Sequence, residues 1–279
     1  MDLSRFAIDT VTLSGPLEDK LRIIRDAGFG GVEIWAKDLT SHPGGVPAAV
    51  AAIRASGLRV TSFQLLRDYE GLHAHLHEYK IDIAKSLLDL IEAVGAPILV
   101  VASSTSAYAS GDLDKIAADL QELAELSAPR NVRVAFGAPA WARWINEFTD
   151  VWEAVRRADR PNLGVLINAF HWLARATPLD KLDTIPGERI FLVQLADYLG
   201  ELSDINETAD HRRAFPHESA HREIIGVLVR KLHRGGYRGD YVFEVFNDEY
   251  WHLAPESIVA RAQKAARWLV DETVRTSST

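Results

Sequence analysis

Four stretches in the second half of the chain decide the fold: VRVAFG (132–137), LGVLIN (163–168), IFLVQ (190–194) and YVFE (241–244). Each is rich in Val, Leu, Ile and Phe, each ends on a residue of different character (Gly137, Asn168, Gln194 and Glu244), and loop or helix sequence follows each. The same alternation runs upstream. Strands are expected near 5–10, 31–35 (GVEIW), 59–64 (RVTSFQ) and 97–103 (PILVVAS). Helices are expected over 16–27, 46–56, 77–94, 112–127, 147–158, 178–184, 219–234 and 255–271. Pro16 suits a first helical turn, Gly28 a helix stop, and Leu113, Ile116, Ala117, Leu120, Leu123 and Ala124 form a buried stripe at helical spacing.

Near-continuous apolar strands between amphipathic helices imply a parallel sheet covered by helices. Eight such units in 279 residues fit an α/β chain folded as a single (β/α)8 TIM barrel, whose strand ends open into one mouth where catalytic residues collect. A doubly wound open sheet would want G-x-G-x-x-G after its first strand, and none is there. One domain over 1–279 is expected, with 272–279 a polar tail. The longest strand-to-helix connection, about 196–218, is where a functional loop is expected.

Composition narrows the function. The net charge of −8 opposes a nucleic-acid footprint, and no apolar run reaches the length of a membrane span. With no cysteine, disulfides and thiolate metal sites are excluded. No signal peptide is evident at MDLSRFAIDT, so a cytoplasmic protein acting on a small molecule, as a monomer or homodimer, is the expectation.

The strings IPGERIFLVQLAD (185–197), DHRRAFP (210–216) and VFEVFND (242–248) resemble bacterial 3-dehydroshikimate dehydratases of the xylose-isomerase-like sugar-phosphate isomerase/epimerase superfamily. AGFGGVEIW (27–35), FQLLRDYEG (63–71), VWEAVRRADRPNLGVLINAFH (151–171) and TLSG (12–15) extend the resemblance along the chain. It implies a barrel and a divalent metal held by glutamate, aspartate, glutamine and glutamate at the ends of strands 5 to 8. Those positions here are Gly137, Asn168, Gln194 and Glu244. Two anionic ligands are replaced, so no metal cofactor is expected, hard cations being held mainly by carboxylates. The alternative is a rebuilt metal site recruiting His171 or His217. The resemblance also places Arg67, His171, Arg213 and Glu33 near the substrate. Trp35-Ala36 and Trp144 stand where the family carries polar groups, which implies a drier mouth.

Without a metal, Glu244 and His171 are the expected acid–base pair. Arg67 and Arg213 would clamp an anionic substrate, and Asn168 and Gln194 would hydrogen-bond a developing enolate oxygen. Trp141 and Trp144, with Trp172 and Trp251, would wall a ring. Such a set suits proton abstraction beside a carbonyl, followed by elimination, isomerisation or ring closure. Each residue also has a structural alternative: Glu244 paired with an arginine, His171 in packing, Arg67 bridged to Asp68 or Glu70, and Arg213 solvated beside Arg212. A non-catalytic ligand-binding barrel is the remaining class. His217, Glu218 and His221 spell H-E-x-x-H, a zinc-helix signature, but the string begins right after Pro216 and lacks a third-ligand pattern. His73, His75 and His77 also resemble a metal cluster, although on a helix only His73 and His77 would share a face.

Overall fold

The computed structural model describes residues 3–275 and contains a closed barrel of eight parallel strands. In chain order its elements are β1 (Phe6–Asp9), α1 (Leu17–Asp26), β2 (Gly31–Trp35), α2 (Ala36–Thr40), α3 (Gly45–Ser56), β3 (Arg59–Arg67), α4 (Ala74–Val94), β4 (Ile98–Ala102), α5 (Leu113–Ser127), β5 (Arg133–Gly137), α6 (Phe148–Ala158), β6 (Leu163–Asn168), α7 (Ala169–Arg175), β7 (Ile190–Leu195), the short pair β8 (Asp197–Tyr198) and β9 (Arg213–Ala214), α8 (Arg222–Arg234), β10 (Tyr241–Phe243) and α9 (Pro255–Arg275). Around the barrel the strands run β1-β10-β7-β6-β5-β4-β3-β2, closing on β1. The expected α/β barrel is therefore the observed one. Among the described residues, no helix is long and apolar enough to cross a membrane.

Alternation along the strands sorts the core. Ala7, Ile98, Val100, Ala135, Leu166, Leu192 and Val242 belong to one buried cluster, which fills the barrel. Their neighbours Phe6, Ile8, Leu99, Val101, Phe136, Ile167, Val193 and Phe243 face the helices in the larger cluster. The same alternation turns Gly137, Asn168, Gln194 and Glu244 inward at the mouth. Register keeps them level: Ala102 pairs with Gly137, and Asn168 with Gln194.

Four expectations need correction. β3 runs to Arg67, three residues beyond the expected end, which puts Gln64 and Leu65 inside the barrel wall. Helix α7 starts on the residue after β6, because Asn168 accepts hydrogen bonds from Phe170 N (3.1 Å) and His171 N (3.3 Å) and so caps it. The segment expected as a helix at 178–184 is instead a 3₁₀ turn over Leu179–Thr184. Helix α9 continues to Arg275, into the stretch expected as a tail, while 276–279 lie outside the described residues.

Candidate active site at the barrel mouth

The long connection after β7 does carry a site residue. β9 pairs antiparallel with β8, Arg213 N donates to Phe246 O (3.1 Å), and Asn247 Nδ2 donates to Arg213 O (2.7 Å). This ladder threads the Arg213 side chain into the mouth, where it is 4% exposed. Its guanidinium bonds Asp210 Oδ1 and Glu244 Oε2, and lies 4.6 Å from the centre of the Phe170 ring. The sequence alternatives for Arg213 are thus corrected: it is neither solvated nor free to clamp an anion, because two carboxylates already neutralise it. Glu244 does pair with an arginine, yet only through Oε2, which also accepts from Asn168 Nδ2 (3.0 Å). Among the described residues Oε1 has no partner, and Glu244 lines the cavity. Burial raises its pKa, offset in part by Arg213 and by the Asn168 hydrogen bond.

The two amides are wired in series. Gln194 Nε2 donates to Glu33 Oε1 (2.7 Å), and Gln194 Oε1 accepts from Asn168 Nδ2 (3.0 Å). Both Asn168 hydrogens are thereby committed, so Asn168 orients Glu244 and has none left for an enolate. Gln194 keeps one. Glu33 is fully buried and accepts from Ser62 Oγ (2.5 Å), so it holds Gln194 from below and does not line the cavity as a substrate contact. Beside it Asp9, also fully buried, accepts from Gln64 Nε2 and from Val11 N (2.8 Å). Burial raises the pKa of both acids, and Glu33 raises that of Asp9 further. Asp9, Gln64 and Asp210 belong to the site but were not singled out in the sequence. Their signal was position alone, at the end of β1, at the expected end of the third strand and three residues before Arg213.

His171 lies against Trp141, with ring centres 4.8 Å apart, and its Nδ1 accepts from Ala140 N (3.3 Å). Burial first, then Arg213, lowers its pKa to about 3. It is therefore a neutral imidazole at physiological pH, and the expectation that its charge changes near neutrality is corrected. Arg67 is exposed and makes no ion pair with Asp68 or Glu70. Asp68 instead receives the 104–106 loop, with Thr105 N at 2.8 Å, and Glu70 receives Ser104 N at 2.5 Å. Among the described residues the Arg67 guanidinium makes no ion pair, and Arg67 lines the mouth.

The mouth holds a cleft of ≈ 410 Å³ walled by Trp35, Trp141 and Phe246, with Arg67, Gln64, Arg213 and Glu244 on its lining. Trp144 is corrected: it is 49% exposed, lies over Gly111, donates to Ala109 O (2.9 Å), and is absent from this lining. Trp172 and Trp251 direct their indole N–H groups to Thr177 O and Val11 O.

The H-E-x-x-H string precedes α8, so its histidines are not stacked on a helix face. Glu218 is taken by Tyr250 and Arg261, and His221 faces Asp197. Among the described residues the group of His, Asp and Glu side chains close enough to chelate an ion is His77, Asp119 and Glu122. It sits between α4 and α5, apart from the mouth, and the Lys115 ammonium contacts both oxygens of Asp119 (2.9 and 3.1 Å). His73 is outside this group, at the start of α4.

Glu70, just behind the mouth, gives a pH test. Its Oε2 is buried without a partner, and burial pushes its pKa up to about 7, with Asp68 and Asp119 adding to the rise. The fold therefore keeps a proton that the unfolded chain loses from about pH 4.5 upward. Stability falls as pH rises through this window, by roughly 3 kcal/mol in full. Urea midpoints at pH 5 and pH 8 should differ less in Glu70→Gln than in the wild type, with the variant more stable at pH 8.

The chain belongs to the xylose isomerase-like TIM barrel family, whose pattern it matches over residues 21–271. It is 38% identical over 245 residues to a 3-dehydroshikimate dehydratase of Pseudomonas aeruginosa, covering 88% of this chain and 38% of that protein. It is 35% identical over 268 residues to the Pseudomonas putida protein of the same name, covering 96% and 42%. The chain thus spans less than half the length of these relatives. An inosose isomerase of Bacillus subtilis is 23% identical over 218 residues, covering 76% of this chain and 74% of that protein. In structure the chain superposes on a xylose isomerase-like TIM barrel/4-hydroxyphenylpyruvate dioxygenase fusion protein with a TM-score of 0.92 at 32% identity, covering 99% of this chain and 44% of that one. A zinc-bound IolI protein has the same fold, with a TM-score of 0.82 at 18% identity, covering 97% and 98%.

Gly137, Asn168, Gln194 and Glu244, the positions that the resemblance implies for a divalent metal, offer a donor set that does not suit a hard cation. Gly137 offers no donor, and a Cβ there would meet Leu166 Cδ2 at 2.7 Å, so a leucine fills the space a ligand side chain would need. Asn168 and Gln194 are neutral and bonded to each other, and the remaining carboxylate already has a guanidinium against it.

Proposed function

We propose that this barrel is a lyase or isomerase that moves a proton beside the carbonyl of a small ring carboxylate, using its own side chains without a metal. One observation carries the reading: Glu244 lines the cleft and is held by Oε2, while among the described residues Oε1 has no partner. A buried carboxylate with a raised pKa is suited to act as a general base near neutrality. It removes the proton from the carbon next to the carbonyl, and the electron pair moves to the carbonyl oxygen. The free hydrogen of Gln194 stabilises that oxygen. The enolate then expels a β-hydroxyl as water, with a proton returned to the leaving oxygen, or takes the proton back on the neighbouring carbon. Dehydratases and isomerases, the two activities named among the relatives, share this first step. Arg67 binds the carboxylate, Trp35, Trp141 and Phe246 flank the ring, and neutral His171 serves as a hydrogen-bonding partner rather than an acid.

Metal independence is tested directly. Protein dialysed exhaustively against a chelator should turn over 3-dehydroshikimate, inosose or another ring carboxylate or ketone at the rate of untreated protein. Elemental analysis should find no stoichiometric divalent ion. Loss of activity on chelation, restored by added divalent metal, would overturn the reading.

A further inference from the structure

We infer that the floor of the mouth is an apolar subsite that selects a ring carboxylate with a bare or methyl-bearing edge over a polyhydroxylated one; this rests on the proposed function and names its substrate class. Contiguous with the cleft, with which it shares Gln64, Leu65, Arg67 and Glu244, is a cavity of ≈ 40 Å³ whose lining includes Val100, Ala102, Gly137 and Leu166. That volume holds one small group. The rest of its lining is largely polar and includes Gln64, Arg67, Asn168, His171, Arg213 and Glu244, so the cavity is apolar chiefly toward β4 and β5.

The apolar part is shaped by residue size. Ala102 and Gly137 are paired neighbours across β4 and β5; the methyl of Ala102 leaves room, while the space beside Gly137 is taken by Leu166. Leu166 then covers Gly137 with its isobutyl group. On the β4 and β5 side the lining residues Val100, Ala102 and Gly137 carry no polar side chain, and Ser103 N is already bonded to Gly137 O (2.9 Å). A hydroxyl placed here would lose its water and gain little, whereas a methyl would be dehydrated and packed. A ring anchored by Arg67 and reached by Glu244 on its polar edge therefore turns its apolar edge to β4 and β5.

Calorimetric titration with 3-methylbenzoate and 3-hydroxybenzoate, ring carboxylates matched in shape, tests this. The methyl compound should bind about tenfold more tightly. Ala102→Leu, which fills the floor, should erase that difference, and Leu166→Ala, which enlarges it, should shift the preference to 3-ethylbenzoate. The second variant keeps the test intact if the first does not fold. Equal affinities, a preference for the hydroxyl compound, no binding of either, or a methyl preference that survives Ala102→Leu in folded protein would each overturn the inference. Arg67→Met should weaken both probes alike. If it weakens neither, the failure lies with the carboxylate anchor of the proposed function and not with the floor.

Discussion

Glu244→Gln should lower turnover by a factor of about 10²–10⁴, the usual span for loss of a positioned general base, and leave the barrel folded. The amide keeps the shape of the side chain and an oxygen able to accept from Asn168 and Arg213, and Arg213 retains Asp210 as its counter-charge. What disappears is the proton acceptor at Oε1. The loss should fall on kcat with little change in KM, because the carboxylate anchor and the aromatic walls are untouched. Steady-state kinetics together with a melting curve check this. A folded variant with wild-type kcat would remove Glu244 from the chemistry and leave it as a partner of Arg213 alone.

The barrel was legible because its causes are local. Apolar runs such as LGVLIN and IFLVQ specify buried parallel strands, and period-two alternation fixes which residue of each turns inward. Thus the pattern alone places Asn168, Gln194 and Glu244 at the mouth. α7 was not legible because Asn168 serves two elements at once, as the last residue of β6 and the cap of the helix, with no loop between to mark the change. Site chemistry was read less well than site position. Whether Arg213 meets substrate or carboxylate depends on Asp210 and Glu244, one in the same loop and one just past β10, thirty-one residues away. Glu33 lies within β2, where Ser62 and Gln194 close over it, so it is a support and not a substrate contact. The pKa of His171 depends on enclosure by elements far apart in sequence, which pattern alone does not encode. Trp144 was misplaced for a related reason: proximity to a strand end in sequence did not decide which way the loop carried it.

Arg213→Met should destabilise the protein by about 3–5 kcal/mol, the range for removing one partner from a buried ion pair. The figure belongs to a buried pair because the side chains of Arg213, Asp210 and Glu244 are only 4%, 18% and 13% exposed. Methionine fills much of the volume and retains contact with Phe170, so the cost is electrostatic more than packing. The pH dependence distinguishes the two. In the wild type Asp210 is buried, which alone would raise its pKa, but Arg213 and its neighbours hold it below the usual value. A depressed carboxyl adds stability above its unfolded pKa and loses it as pH falls. Without Arg213 burial dominates, the carboxyl pKa rises, and the variant is penalised where that group must ionise. The gap between wild type and Arg213→Met should therefore be widest near pH 7 and narrow toward pH 4. Adding Glu244→Gln to Arg213→Met should cost less than the sum of the single changes, because the amide removes one of the two stranded charges. Urea denaturation of the four proteins at both pH values measures all of this. A gap below about 1 kcal/mol, typical of exposed pairs, or one that does not change with pH, would show that the guanidinium is not the charge that holds these carboxylates at the mouth.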